Sequence, residues 1–204
     1  MYQPPRYKKN DPSFAEALIR ENPFAEFITA GDRLLATHIP VLIDPEASDL
    51  RLFGHIANHN PQREFLRDGL EALLIFRGDH DYVSSSWYRE KEISTWDYSA
   101  VHVHCTIRLQ DEKALVKSLK RLVHHFEKYV ANPLEYDDIP DHIVEENLKG
   151  ITGFTCHPLS VEGIGKWHQG FDRKDVVNVV KNLDDPACPH QRPLVRDIKR
   201  EHGL

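Results

Sequence analysis

The first half of the chain carries β-like runs one after another, joined by short turns and not by helices, and this succession restricts the fold most. Phe24–Ala30 (FAEFITA) reads as a strand, Gly31-Asp32 turns it into Leu34–Asp44, and Asp44-Pro45 leads on to Leu50–Ala57. Glu71–Phe76 and His80–Ser85 follow on either side of Arg77-Gly78-Asp79, and Asp97–Leu109 is the longest β-rich run. Strict strand–helix alternation would call for a parallel sheet. Consecutive strands with short connections call for an α+β fold: an antiparallel sheet or barrel with peripheral helices.

The helical signals sit around this set. Asp11 and Pro12 are a cap and a first helical residue, Phe14, Leu18 and Ile19 mark one face, and Asn22-Pro23 stops the helix. Asn60–Gly69 reads as a short helix opened by Asn60-Pro61. In Asp111–Val130, Leu115, Leu119, Leu122, Phe126 and Val130 recur at helical spacing. Pro140–Leu148 is a further helix, Ile151–Glu162 returns to strand, and Asp172 caps a helix carrying Val176, Val179, Val180 and Leu183. Residues 1–183 read as one domain, and 184–204 as a polar, mixed-charge helix or tail.

Composition narrows the function classes. With 26 basic against 32 acidic residues, the net charge of −6 gives no footprint for nucleic acid, and neither a helix-turn-helix nor a basic recognition helix is present. Direct DNA binding and membrane insertion are therefore not expected. The start, MYQPPRYKKNDPSF, lacks the apolar core of a secretory signal, and three scattered cysteines make no disulfide framework, so the expected location is cytoplasmic. Phosphate-loop, nucleophile-elbow and zinc-protease motifs are missing.

The chain's 13 histidines raise the question of metal, haem or anion binding. His102 and His104 share one face of a strand with Cys105 on the other, a pattern that ordinary strand histidines explain and that gives no metal site. Cys188 and His190 read as loop residues. Gly54–Arg63 (GHIANHNPQR) is more informative: a strand runs into a loop of Asn, His and Gln and then a helix start, where free N–H groups favour an anion. Spacing leaves a phosphate site and a plain capping loop both open. Trp87, Tyr88, Trp96 and Tyr98 are interleaved with hydroxyl residues, as a wall for a flat heterocycle, a dimer face or a core edge.

Several blocks together resemble the PaiB family, FMN-binding proteins of the flavin split-barrel class described as negative transcriptional regulators. They are Met1-Tyr2 with Pro4, Thr37-His38-Ile39-Pro40, Gly54-His55 with Ala57, and Asn60-Pro61-Gln62. Phe76, Gly78 and Tyr82, Ser84–Tyr88, Thr95-Trp96 with Tyr98, Val101-His102, Leu148–Ile151 and Gly153-Phe154 continue the match. The resemblance implies a six-stranded antiparallel split β-barrel with peripheral helices, a homodimer, and FMN as cofactor. By resemblance the flavin phosphate falls to His55, Ile56, Asn58, Asn60 and Gln62, with Arg63 beside them. Thr37, His38 and Ile39 run beneath the flavin edge, Trp96 is a further cofactor-binding residue, and Lys166 and Gln169 approach from the partner chain.

The chain departs from the family pattern at Arg63, where Trp is usual, at Asp97, where Asn is usual, and at Cys105, where Gly is usual. It also reads K-W-H-Q-G at Lys166–Gly170 for K-L-S-Q-N. An FMN-dependent oxidoreductase or a transcriptional regulator is the function implied. A flavin-free dimeric module and a haem-binding or haem-degrading split barrel are the alternatives. His38, His55 and His102 are titratable, but no residue pattern marks a catalytic acid or base.

Overall fold

Asp11 opens the first helix as its side chain accepts a hydrogen bond from the Ser13 amide (2.9 Å), and α1 runs Pro12–Glu21 until Pro23 ends it. The computed structural model describes residues 1–186 and 193–204. Its strands are β1 (Lys8–Lys9), β2 (Phe24–Ala30), β3 (Leu34–Pro40), β4 (Leu42–Ile43), β5 (Leu52–Ala57), β6 (Glu71–Val83), β7 (Thr95–Leu109) and β8 (Ile151–Lys166). The other helices are α2 (Glu112–Glu127), α3 (Asp141–Lys149), α4 (Arg173–Leu183) and α5 (Pro193–His202). The strand order is β3-β2-β6-β7-β8-β5-β4, with β1 on β8. The pairs β1–β8, β2–β3, β2–β6, β4–β5 and β5–β8 are antiparallel. Two of the eight strands are two residues long; the six longer ones correspond to the six expected.

Three segments differ from the sequence reading, each for a local reason. Leu34–Asp44 is not one strand: the Val41 amide still donates to Pro23 O (2.8 Å) in the β2–β3 register, but the next residues, Leu42 and Ile43, change partner and pair with β5. Arg77-Gly78-Asp79 is no turn but the middle of β6: a Cβ on Gly78 would lie 2.3 Å from Ser99 Oγ, so the glycine serves a close approach. Asn60–Gly69 forms only a single 3-10 turn, Pro61–Glu64, in place of a helix.

The chain folds as two compact units. One comprises Met1–Glu21, Arg77–His102 and Glu162–Leu204, the other Asn22–Phe76 and Val103–Val161. In the second unit the inward residues of alternating strands build the core, with Phe27 stacked on Phe154 at 4.8 Å between centroids. Burying each such ring contributes about 1.5–3 kcal/mol. Asp111 caps α2 by accepting from the Ala114 amide (2.8 Å), and Leu122 packs with Leu42 and Phe53. In the first unit Val176, Val179, Val180 and Leu183 of α4 share a core with Leu194, Val195 and Ile198 of α5. The 184–204 stretch, which reads as polar, therefore contributes an amphipathic helix to that core. Cys188 and His190 lie outside the described residues.

Candidate functional site

The turn after β5 is built by asparagines. Asn60, in extended backbone, accepts from the Gln62 amide at 2.9 Å and so opens the 3-10 turn, while its Nδ2 donates to Thr37 Oγ1 at 2.7 Å. Asn58 donates through Nδ2 to Lys149 O (2.8 Å) and accepts from Thr152 Oγ1 (2.6 Å). Arg63 Nε donates to the same Thr152 oxygen at 2.7 Å. These bonds leave a cavity of about 490 Å³ lined by Leu35, Ala36, Thr37, Ala57, His59, Asn60, Pro61 and Gln62. That volume suits a small-molecule site.

Thr37, Asn60 and Gln62 line the cavity, but the expected phosphate cradle is reshaped. A four-residue 3-10 turn has little of the dipole that a helix start would aim at an anion. Gln62 is buried, and its amide nitrogen donates within 3.3 Å to Phe27 O, Thr29 Oγ1 and Leu35 O, which leaves no hydrogen for a ligand. Its role is to tie β2 to β3. Ile39 and Ile56 are core residues. His38 is exposed, with its ring 5.9 Å from that of Phe24 and Nε2 3.8 Å from Glu26. His55 is half-buried, its Nδ1 has no partner among the described residues, and desolvation lowers its pKa. Arg63 keeps both Nη groups unpaired among the described residues, so it is the strongest anion donor beside this turn. His59, missed in the sequence reading, lines the cavity.

Trp96, Lys166 and Gln169 belong to the other unit. Gln169 is spent on structure: Oε1 accepts from the Trp167 amide (2.7 Å), and Nε2 donates to Gly165 O (2.7 Å) and to Glu201 (3.1 Å). Trp96 is 48% exposed and lies against His80 and Tyr82, with ring centroids at 5.9 and 6.2 Å. Lys166 donates to Thr95 Oγ1 and, at 2.8 Å, to Trp96 O. Behind it is a group that the motifs did not single out. Asp97 Oδ2 meets His168 Nδ1 at 2.5 Å, and His168 Nε2 meets the Tyr88 hydroxyl at 2.9 Å. His168 has a left-handed backbone (φ 64°), which a non-glycine residue holds only when its surroundings impose it. The signal available in the sequence was the pair of departures at Asp97 and in K-W-H-Q-G. Among the described residues no cluster of His, Cys, Asp and Glu suits a metal ion, and no helix is long and apolar enough to cross a membrane.

Antiparallel strands in this order, with marginal helices, are an α+β fold of the split-barrel type. The architecture is shared with the FAD- and haem-binding protein of Mycobacterium smegmatis, at TM-score 0.60 and 14% identity, covering 94% of this chain and 97% of that one. Residues 1–157 match the family described as "Putative FMN-binding domain", and the chain belongs to that family. It is 28% identical to the protease synthase and sporulation protein PAI 2 of Bacillus subtilis, over 95% of this chain and 94% of the relative. It is also 30% identical to an uncharacterised protein of Emericella nidulans, over 94% and 93% of the two chains.

Proposed function

We propose that the chain is a PaiB-type flavoprotein that takes FMN at the cavity beside β3, as a cytoplasmic homodimer. The observation that carries this reading is one of coincidence: the cavity is lined from 35–37, 57 and 59–62, inside the 1–157 match to an FMN-binding family. Arg63 Nη groups supply charge-assisted bonds for a terminal phosphate. Thr37, held by Asn60, sets the polar wall, and Leu35, Ala36 and Ala57 supply the apolar one. Trp96 and Lys166 enter through the family resemblance alone, Lys166 from the second copy. Gln62, Gln169, Ile39 and Ile56 act as scaffold.

Bound flavin supplies hydride and electron transfer, and the protein's part is to bind, orient and tune it. That makes an FMN-dependent redox role our reading of the chemistry. Direct DNA reading is not part of it, since Lys117, Lys120 and Arg121 of α2 are paired with Glu46, Asp137 and Asp44. The test is titration of FMN, riboflavin and FAD into apoprotein, with the visible spectrum of the freshly purified protein. FMN binding at least tenfold tighter than riboflavin, with a preference lost in Arg63→Ala, is the expected result. Equal affinity for FMN and riboflavin, or a Soret band in place of flavin bands, would overturn the proposal.

A further inference from the structure

Asn58 and Asn60 fix the turn between them by backbone as well as by side chain. The Asn58 amide donates to Gly150 O (2.8 Å) and the Asn60 amide to Ala57 O (3.0 Å), beside the side-chain bonds to Lys149 O and Thr37 Oγ1. His59 stands between these two anchors and lines the cavity. Of the eight lining residues, Leu35, Ala36, Ala57 and Pro61 are apolar. Asn60 spends its carbonyl on the Gln62 amide and an amide hydrogen on Thr37, and Gln62 spends Nε2 on three protein oxygens. Thr37 accepts from Asn60 and keeps its hydroxyl hydrogen to offer. The His59 side chain has no hydrogen bond, ion pair or ring contact among the described residues. An imidazole carries an N–H donor in every tautomer and a positive charge when protonated, which no other lining side chain can carry. Glu64, the acidic residue of the same turn, is exposed and does not line the cavity.

We propose that His59 is a specificity-determining residue of this cavity, recognising the terminal phosphate of the bound flavin nucleotide together with Arg63. The proposal rests on the flavin reading above and adds a donor inside the cavity to the guanidinium beside it. Apolar ring surface suits Leu35, Ala36, Ala57 and Pro61, whereas an anionic end is favoured where donors are uncommitted and able to carry charge. His59 and Arg63 are four positions apart in the chain, on either side of Asn60-Pro61-Gln62. A phosphate monoester brings a charge of roughly −1.5 to −2 and three acceptor oxygens, more than one guanidinium end satisfies. Because Asn58 and Asn60 already hold the turn, a hydrogen bond from the His59 ring is not offset by the cost of ordering its backbone.

The test uses full-length apoprotein titrated with FMN and with riboflavin, read by flavin fluorescence. His59→Ala weakens FMN about fivefold, the worth of one net hydrogen bond, and leaves riboflavin affinity unchanged. His59 and Arg63 act on one anionic group, so the losses in the two single variants are not additive. In the wild type the His59 imidazole resonances, assigned through its backbone, shift with FMN and stay in place with riboflavin. A histidine that only shapes the turn responds to both ligands or to neither. A preference for FMN that is unchanged in His59→Ala overturns this proposal and leaves the flavin reading standing, and so does an equal loss of both ligands. If His59→Ala fails to fold, the resonances decide: a shift with FMN alone supports the proposal, and the same response to both ligands overturns it. Failure of the wild type to take up FMN overturns the flavin reading and this proposal together.

Discussion

The turn at Asn58–Arg63 and the Tyr88–His168–Asp97 cluster both gather polar side chains, but they use them in opposite ways. At the turn nearly every donor is satisfied within the protein, and what remains is an open cavity with one unspent guanidinium end. In the cluster Asp97 and His168 are fully buried, and the compensation of the carboxylate reaches outward to Lys166. Polar residues at the first site shape a hole. At the second they hold a charge. Counting donors in the sequence cannot separate these uses, because the difference lies in which acceptors each donor meets.

Substitutions sharpen this contrast. The largest effect is expected at the buried cluster: His168→Ala leaves the Asp97 carboxylate without its neutral donor and should cost about 3–5 kcal/mol, read as a lowered urea midpoint. Gln62→Leu comes next. It removes the amide that bridges Phe27, Thr29 and Leu35, for about 1–3 kcal/mol of stability, with riboflavin and FMN affinities falling together. Arg63→Ala should leave stability within about 0.5 kcal/mol, since the side chain is a half-exposed donor. It should weaken FMN about tenfold while sparing riboflavin, so stability and phosphate recognition separate at one turn.

The smallest effects come from pH, and they have opposite signs in the two units. Desolvation lowers the His55 pKa, so the unfolded chain takes up its proton first, and stability falls as pH drops below about 6.5. His55→Gln should flatten that slope in unfolding experiments between about pH 7 and 5. Asp197 in the other unit is pushed up, chiefly by burial. Its folded form holds a proton more tightly than the unfolded one, so its contribution favours folding below its unfolded pKa and is lost as pH rises through the folded value. Asp197→Asn should remove this opposing contribution, leaving a steeper loss of stability on acidification than in the wild type.

Much of the backbone was legible in local signals. Phe24–Ala30 is the strand its alternation indicates, Asp11-Pro12 and Asn22-Pro23 bracket α1, and Asp111 and Asp172 cap α2 and α4. Gly78 was misleading because a glycine marks a turn and a close strand approach alike, and only Ser99 Oγ tells them apart. Residues 184–204 concealed a core helix because Leu194, Val195 and Ile198 are few and spread among charges. Around the cavity, the segment was legible and the roles were not. Asn60 and Gln62 are where the Gly54–Arg63 reading points, yet Gln62 faces inward to the strands.

The sequence by itself determined the antiparallel α+β class, the helix caps and the family, because these depend on periodicity, on neighbours a few residues away and on motifs read in order. Tertiary structure decided which polar groups are spent and which are left. Asp97 and His168 are 71 positions apart, and in the sequence they stand as two separate departures from a family pattern. Folding brings them to 2.5 Å and makes them one interaction with a charge of its own. Hydrogen bonds depend on distance and burial, and no local pattern carries either across so long a stretch of chain.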